Sequence, residues 1–521
     1  MQIAKERVSP KRLALRPLAY LLLAALACLY LKSFILPRTP IYQGDTAPIW
    51  LLDAARMLDG QMIYRDFFEF TLPGTQYVYL ALFKLFGLRA WIPSATFVLL
   101  GASLAWIGIA VSKSLMPGKL VFLPSILFLA FAFTSEPDPT HHWFSLLAVM
   151  TALGLLMEKR SWRRVAGAGA FCGLATLFTQ SRGVAAVLGF ATFLLWERYV
   201  KKQGWRALVI AEVCLLATFA AITVPPMAYF AWNAGLERFV DCTFIFLMKD
   251  WHKWYWDAPG VYLTEVPLFP LALELPALSV WLFIHLLLPL IYLLFLVRWW
   301  RMAQARPEEP WDRLMLLSMV GLFLFLGIAF APAWLRLCSV SLPALILFVW
   351  FIKSSEKHSS ILTNSLWVIG VVALVGQAVI TQTGWRAYLD TPAGHVAFLE
   401  PDLYKKFQWL RDRTRPGDFI FQASNCNLYF LLGLQNPTPV SFVTATGFTR
   451  PEQVQEVVEA LERSRARFVV WGLWLDTPRY EREKQFDPGH LAPIRDYLRA
   501  HYHLVRNFGE PDYEQVWELN P

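Results

Sequence analysis

The chain has 521 residues, of which 56% are hydrophobic, 15% aromatic and only 17% charged, with a formal net charge of +9. A soluble globular chain carries about 25% charged residues, so this composition excludes a disordered or fibrous protein and a cytosolic enzyme and leaves a polytopic membrane protein. The Lys and Arg excess suits cytoplasmic loops rather than a nucleic-acid surface, and the 6 cysteines form no CxxC pair, which argues against a zinc site and a disulfide framework.

A membrane-crossing helix takes about 20 mostly apolar residues. Such runs fall at 14–36, 90–112, 119–134, 143–157, 165–181, 183–196, 207–231, 275–297, 314–331, 334–352 and 361–381, about eleven in all. The first follows Lys5, Arg7, Lys11, Arg12 and Arg16. Ala25-Leu26-Ala27-Cys28 resembles a lipoprotein cleavage box, but the apolar run continues to Leu36, so an uncleaved first helix with a cytoplasmic N-terminus is expected. Basic clusters at Lys113/Lys119, Lys159–Arg164, Arg198–Arg206, Arg298–Arg313 and Lys353/Lys357 all become cytoplasmic if the helices alternate. The loops 37–89, 135–142, 180–183, 232–274 and 332–336, and everything after 382, are then external.

Loop 37–89 carries two predicted helices. Asp45-Thr46-Ala47-Pro48 is a helix start, with a capping side chain just ahead of a Pro, and Gly60 ends the helix 48–59. Asp53 and Arg56 fall on its polar side and Ile49, Trp50, Leu52 and Met57 on its greasy side, the pattern of an amphipathic helix on the membrane surface. The segment Pro73–Gly87 is apolar but shorter than a span. Counting it as a crossing would turn the cluster Lys159–Arg164 outward, so it is expected to lie in the outer interface, opened by Pro73 and closed by Gly87.

After 382 charge density rises and the long apolar runs stop. Gly417–Phe421 reads as turn then strand, Pro451–Arg465 as helix, Phe468–Trp471 as strand, His490–Ala500 as helix, and Tyr502–Asn507 with Tyr513–Leu519 as a strand pair. The fold expected is a polytopic α-helical membrane part over residues 1–383 and a small external α/β domain over 384–521.

Charge held at the membrane edge costs roughly 2.5–3.5 kcal/mol per residue at mid-helix, which draws attention to the charges on the outer side. The acids there are Asp45, Asp53, Asp66, Glu69, Glu136 and Asp138, and the bases are Arg56, Arg65, Lys84, Arg89, Arg182, Lys249, Lys253 and Arg336. Cations kept outside against the usual bias suit an anionic ligand such as a phosphate. His141 and His142 are adjacent, which fits contact with an acceptor better than a metal pair. The aromatic stretch Trp251–Trp256, with Trp254 at its centre, is an interfacial belt or a sugar-stacking lid.

Gly44-Asp45, Ala55–Gly60, Tyr64-Arg65-Asp66-Phe67, Leu72-Pro73-Gly74 and Leu85-Phe86-Gly87 together resemble the first external loop of GT-C glycosyltransferases. These include protein O-mannosyltransferases, the bacterial aminoarabinose transferase and the RgtA/B/C/D-like sugar transferases. Glu136 or Asp138 ahead of Pro139 resembles the family's second acid, Thr179–Gly183 its basic residue after a helix, and Arg336 with Pro343 its late arginine. The chain departs from the aminoarabinose transferase in having Asp45-Thr46 in place of Asp-Glu, and Thr71-Leu72-Pro73 in place of Lys-Pro-Pro, so Arg65 or Arg182 would stand in for the missing lysine.

The resemblance implies an inverting transferase of the bacterial inner membrane. A sugar on a polyprenyl phosphate would be moved to the hydroxyl of a glycolipid, polysaccharide or protein at the external face. Asp45 would be the general base, where it otherwise serves as a helix cap. Arg65, Asp66, Arg56, Arg182 and Arg336 would contact donor phosphate or substrate, and His141, His142, Lys249 and Trp254 the acceptor or a lid. No metal or other cofactor is required. The alternatives are a lipid-linked sugar flippase, which the absence of an internal repeat disfavours, and a non-catalytic glycolipid-binding protein.

Overall fold

A computed structural model describes residues 15–42, 47–135, 137–202, 204–253, 283–330, 332–354, 359–477, 486–509 and 513–521. The chain opens with α1 (Leu15–Ser33) and a short ribbon of β1 (Phe34–Ile35) and β2 (Thr39–Pro40), then α2 (Ala47–Leu58), α3 (Gly74–Phe86), α4 (Trp91–Lys113) and α5 (Leu123–Phe128), which runs on as a wider turn to Phe133. There follow α6 (His141–Glu158), α7 (Trp162–Phe178), α8 (Gln180–Lys201) and α9 (Trp205–Ala234), then α10 (Leu236–Val240) and α11 (Phe246–Lys249) joined through Asp241–Ile245. The later bundle helices are α12 (Leu288–Met302), α13 (Trp311–Leu326), α14 (Trp334–Cys338), α15 (Ser341–Lys353) and α16 (Ser359–Thr383).

Among the described residues four helices, α4, α8, α9 and α16, are long and apolar enough to cross a membrane by themselves. The other helices are shorter or less apolar than a span, so the expected count of about eleven crossings is not reproduced helix by helix. The run 334–352, expected as one span, is broken into α14 and α15 at Ser339–Val340. Pro343, in the first turn of α15, offers no N–H to the Ser339 carbonyl, which favours a break there. The core of the bundle holds Trp143, Phe190, Leu317 and Trp350, all fully buried, while Leu99, Val209, Val213 and Val372 face outward, as lipid-facing positions do.

One end of the bundle gathers the basic clusters. Arg160 pairs with Asp312 at 2.8 Å and Glu197 at 3.3 Å, Lys201 pairs with Glu197 at 2.6 Å, and Arg313 donates to the Ser114 carbonyl at 2.9 Å. The turns after α4, α6, α8 and α12 therefore share an end, as the alternation of spans requires.

The C-terminal α/β unit contains the hairpin β3 (Ala387–Thr391) and β4 (Gly394–Phe398), α17 (Pro401–Arg411), β5 (Ile420–Gln422), α18 (Leu428–Leu432), α19 (Pro451–Ser464), β6 (Phe468–Gly472), α20 (Ala492–His501), β7 (Tyr502–Phe508) and β8 (Glu514–Leu519). The sheet order is β5-β6-β8-β7, with β5 and β6 parallel and the other pairs antiparallel. All five residues of β6 are buried, because both sheet faces are covered. Val469 and Trp471 pack toward α19 and α20, and Phe468 and Val470 pack in a cluster with α2, α3, α17 and α18.

That second cluster corrects one expectation. α2 was expected to lie on the membrane with Asp53 and Arg56 outward, but it is sandwiched beneath the sheet, with Asp53 at 0% and Arg56 at 5% exposure. The amphipathic pattern is present; what covers the polar side is protein. α3 follows its expected punctuation, opening after Pro73 and closing at Gly87, whose φ is +75°. Gly74 permits its close seating, since a Cβ there would fall 2.7 Å from the Leu177 carbonyl oxygen.

Candidate functional site

Two polar groups meet at the end of the bundle that carries α2 and α3. The first is basic and centres on Arg182, in the first turn of α8. The chain can bring α8 in close because residue 183 is Gly: a Cβ there would lie 2.1 Å from Thr176 Oγ1. Arg182 is 2% exposed. Its Nη1 donates to the His142 carbonyl at 2.6 Å and to Ser145 Oγ at 2.8 Å, and its Nη2 donates to His142 Nδ1 at 3.2 Å and to Ser339 Oγ at 2.7 Å. All four acceptors are neutral, so these bonds aim the guanidinium without cancelling its charge.

Ser339 Oγ in turn donates to the Arg336 carbonyl at 2.7 Å, which ties the turn carrying Arg336 to Arg182. The Arg336 charge acts on Arg182, and both guanidinium charges act on the His141 and His142 rings. The two imidazoles lie 3.9 Å apart, with His141 against Trp50 of α2 at 4.7 Å. Arg182 donating to His142 Nδ1 places the ring proton on Nε2. The Arg336 guanidinium also lies 4.6 Å from the centre of the Trp251 ring, so the segment after α11 reaches this group.

The second group is acidic and lies between α2, α3 and the sheet unit. Asp53 Oδ2 accepts from Gln76 Nε2 at 3.3 Å. Glu69 Oε1 accepts from the backbone N–H groups of Phe70 and Thr71 at 2.8 Å and from Thr71 Oγ1 at 3.0 Å. Burial first, and then the charge of Glu69, push Asp53 well above the usual carboxylate range, against the pull of Arg56. Burial raises Glu69 as well, but three donors favour its charged form, so Asp53 is the more strongly raised of the two. The charges of Asp53, Glu69 and Asp138 all bear on the Cys426 thiol; burial first and then these acids push it up, and it stays protonated. Asp138 is 4% exposed, and the adjoining Pro139 carbonyl accepts from Tyr79 Oη at 3.0 Å.

The expected residues divide accordingly. Arg182, Arg336, His141 and His142 are brought together. Asp138 and Arg56 join the acidic group, Arg56 through the charge of Asp53 and with its Nη2 donating to the Thr438 carbonyl at 2.9 Å. Arg65 and Asp66 do not reach either group: they pair with each other at 2.8 Å, with side chains 53% and 33% exposed, and Asp66 closes a turn by accepting from Met62 N at 2.7 Å. Lys249 is exposed on α11. Asp45, Glu136 and Trp254 lie outside the described residues. Asp45 lies two residues ahead of α2, whose Pro48 and Leu51 line a small groove with Tyr42, Pro93, Ser94 and Asn427.

Sequence reasoning did not single out Ser145, Ser339 or Gln76, and named Trp251 only as the first residue of the aromatic stretch. Nothing local marks them; Arg182 and Ser339 are 157 residues apart. Among the described residues no three His, Cys, Asp or Glu side chains are placed to hold a metal ion.

With this geometry in hand, comparison with solved structures gives a decisive match. ArnT from Cupriavidus metallidurans bound to undecaprenyl phosphate superposes with a TM-score of 0.59 over 97% of this chain and 98% of that one, at 11% identity. Its apo state gives 0.60 over the same shares at 12% identity. The chain has the ArnT fold. No family model and no curated protein sequence matches it, so the likeness is carried by the structure and covers both the bundle and the C-terminal unit of the ArnT chain.

Proposed function

We propose that the chain is a polyprenyl-phosphate-dependent glycosyltransferase of the GT-C type, embedded in the bacterial inner membrane with its N-terminus cytoplasmic and its C-terminal unit external. The observation that carries this reading is the pairing of Arg182, aimed by neutral partners, with Arg336 at one end of a bundle whose fold is shared with a protein that holds undecaprenyl phosphate. A phosphate on an isoprenoid chain stays at the membrane edge, where two guanidinium groups would receive it.

In this reading the acceptor hydroxyl gives its proton to the Asp45 carboxylate as its oxygen attacks the anomeric carbon. The bond from that carbon to the phosphate oxygen breaks on the opposite face, and the electron pair leaves with the phosphate. One displacement inverts the anomeric centre. A base within about 2.6–3.2 Å of the acceptor contributes typically 10²–10⁴-fold. Arg182 and Arg336 stabilise the charge that grows on the departing phosphate, so the reading calls for no metal. His141, packed between the tilted rings of Trp50 and His142, and the exposed Lys249 supply contacts for the acceptor. Asp138 would be the second acid of this reading, near the buried Asp53 and Glu69.

The test is sugar transfer from a polyprenyl-phosphate donor in membranes carrying the wild type or Asp45→Asn. Loss of transfer with intact expression, and wild-type transfer that survives chelation, support the reading; unchanged transfer in Asp45→Asn refutes the base assignment.

A further inference from the structure

The sheet unit touches the basic group through an ionic clamp. Arg450 stands at the start of α19, with its backbone N–H bound to Gln453 Oε1 at 2.9 Å. The turn before it is locked: Thr444 N donates to Thr449 Oγ1 at 2.8 Å, and the Thr449 carbonyl meets His490 Nε2 at 2.6 Å. From this rigid mount Arg450 Nη1 reaches Asp241 Oδ2 at 2.6 Å and Arg450 Nε reaches Asp250 Oδ2 at 2.9 Å. One guanidinium thus brackets the stretch from Asp241, just after α10, to Asp250, just after α11, with the Phe246 ring beneath it at 5.2 Å.

The other oxygen of Asp250 is taken by Lys253 Nζ at 2.6 Å. Burial opposes its charge, but the hydrogen bonds from Lys253 and Arg450 hold the Asp250 carboxyl below its ordinary range. Both oxygens are therefore committed, and the backbone at 250 is fixed. The next residue is Trp251. Its ring lies against Phe330 at 5.3 Å and under the Arg336 guanidinium at 4.6 Å. Arg336 is attached through Ser339 to Arg182. Contacts thus run without a gap from the C-terminal unit to the phosphate-receiving pair, through side chains that have discrete rather than sliding arrangements.

We propose that Arg450 is a positioning residue: by clamping Asp241 and Asp250 it holds Trp251 against Arg336, so that the seating of the C-terminal unit sets the geometry of the anion site. An acceptor bound to that unit would thereby influence capture of the lipid phosphate. The last step rests on the functional reading above; the clamp and its effect on Arg336 do not.

The test uses the full chain with Arg450→Ala, Arg450→Lys, Trp251→Ala and the Arg450→Ala/Trp251→Ala double variant. Cys338 is fully buried and shares the short helix α14 with Arg336, so its alkylation rate, read by mass spectrometry of its peptide, reports how firmly that helix is seated. Arg450→Ala and Trp251→Ala should each speed alkylation, within the roughly 2- to 30-fold range of network couplings. Arg450→Lys should recover part of the loss, and the double variant should react no faster than Trp251→Ala. Affinity for undecaprenyl phosphate should fall in the same non-additive pattern. An unchanged Cys338 rate in Arg450→Ala, or effects that multiply in the double variant, would overturn the proposal. If Arg450→Ala does not fold, Asp250→Asn replaces it with the same expected outcome. If the wild type binds no undecaprenyl phosphate, the functional reading fails while the Cys338 rates still decide the relay.

Discussion

Arg56 Nη2 donates to the carbonyl oxygen of Thr438 at 2.9 Å, joining the loop after the first helix to the C-terminal unit across 382 residues of chain. The same guanidinium lies 5.2 Å from the Phe67 ring, and its buried Nε and Nη1 have no hydrogen-bond partner among the described residues. A buried cation is held here by one carbonyl, an aromatic face and the nearby acids, and it is the hinge on which the acidic group depends.

Arg56→Ala removes a charge-assisted bond worth about 1.5–3 kcal/mol and leaves the Thr438 carbonyl bare. Limited proteolysis is expected to release the C-terminal unit faster than in the wild type. Arg56→Met, which fills the space and removes the buried charge, is expected to cost less. Equal proteolysis of Arg56→Ala and wild type would show that the two parts are docked by the apolar cluster alone.

Asp53 gives a pH dependence whose sign follows from burial. Its folded pKa is raised. Below the ordinary carboxylate range both folded and unfolded chains carry the proton, and the residue contributes nothing. As pH rises from about 4, the unfolded Asp ionises first, and folding loses about 1.4 kcal/mol for each unit by which the folded pKa is raised. Asparagine never ionises. Asp53→Asn should therefore unfold at a higher temperature than the wild type at pH 7, with the gap closing as pH falls toward 4. A gap that widens in acid contradicts the protonated state.

Gly183→Ala tests the close approach of α7 and α8. The added methyl would meet Thr176 Oγ1 at 2.1 Å and Thr176 N at 2.4 Å, and neither atom is the end of a long flexible chain. Overpacking of this kind costs typically 1–3 kcal/mol, and the displaced helix carries Arg182 with it. A lowered unfolding temperature together with weaker donor use is expected.

Arg182→Lys separates charge from shape. Lysine keeps the positive charge but cannot make the two-pronged set of bonds to His142, Ser145 and Ser339. Transfer should fall by about 10²-fold, the scale for loss of one transition-state donor, while expression is retained. Wild-type rates in Arg182→Lys would mean that bulk charge suffices.

Much of the scaffold was legible. Pro73 and Gly87 mark α3, and the unbroken apolar run Phe468–Trp471 marks a central strand. The hairpin β3–β4 was missed because Tyr388 is exposed where alternation calls for a polar residue, and Val396, Ala397 and Phe398 are buried in a row, which weakens the alternation that signals a strand. At the site, Arg182 and Arg336 stood out because cations on the outer side break the usual bias. Their coupling through Ser339 did not, since a serine in an apolar run looks like filler. α2 misled for a related reason: period and polarity show that Asp53 and Arg56 share a side, but only the sheet packed on that side shows that it is buried.

The most direct test of the central claim is retention of undecaprenyl phosphate by the purified chain, measured by native mass spectrometry for the wild type, Arg182→Ala and Arg336→Ala. The arrangement of the two arginines predicts a bound lipid on the wild type and at least about a tenfold weaker complex, or 1.4 kcal/mol, for each variant. Equal retention by all three proteins, or none by the wild type, would contradict it.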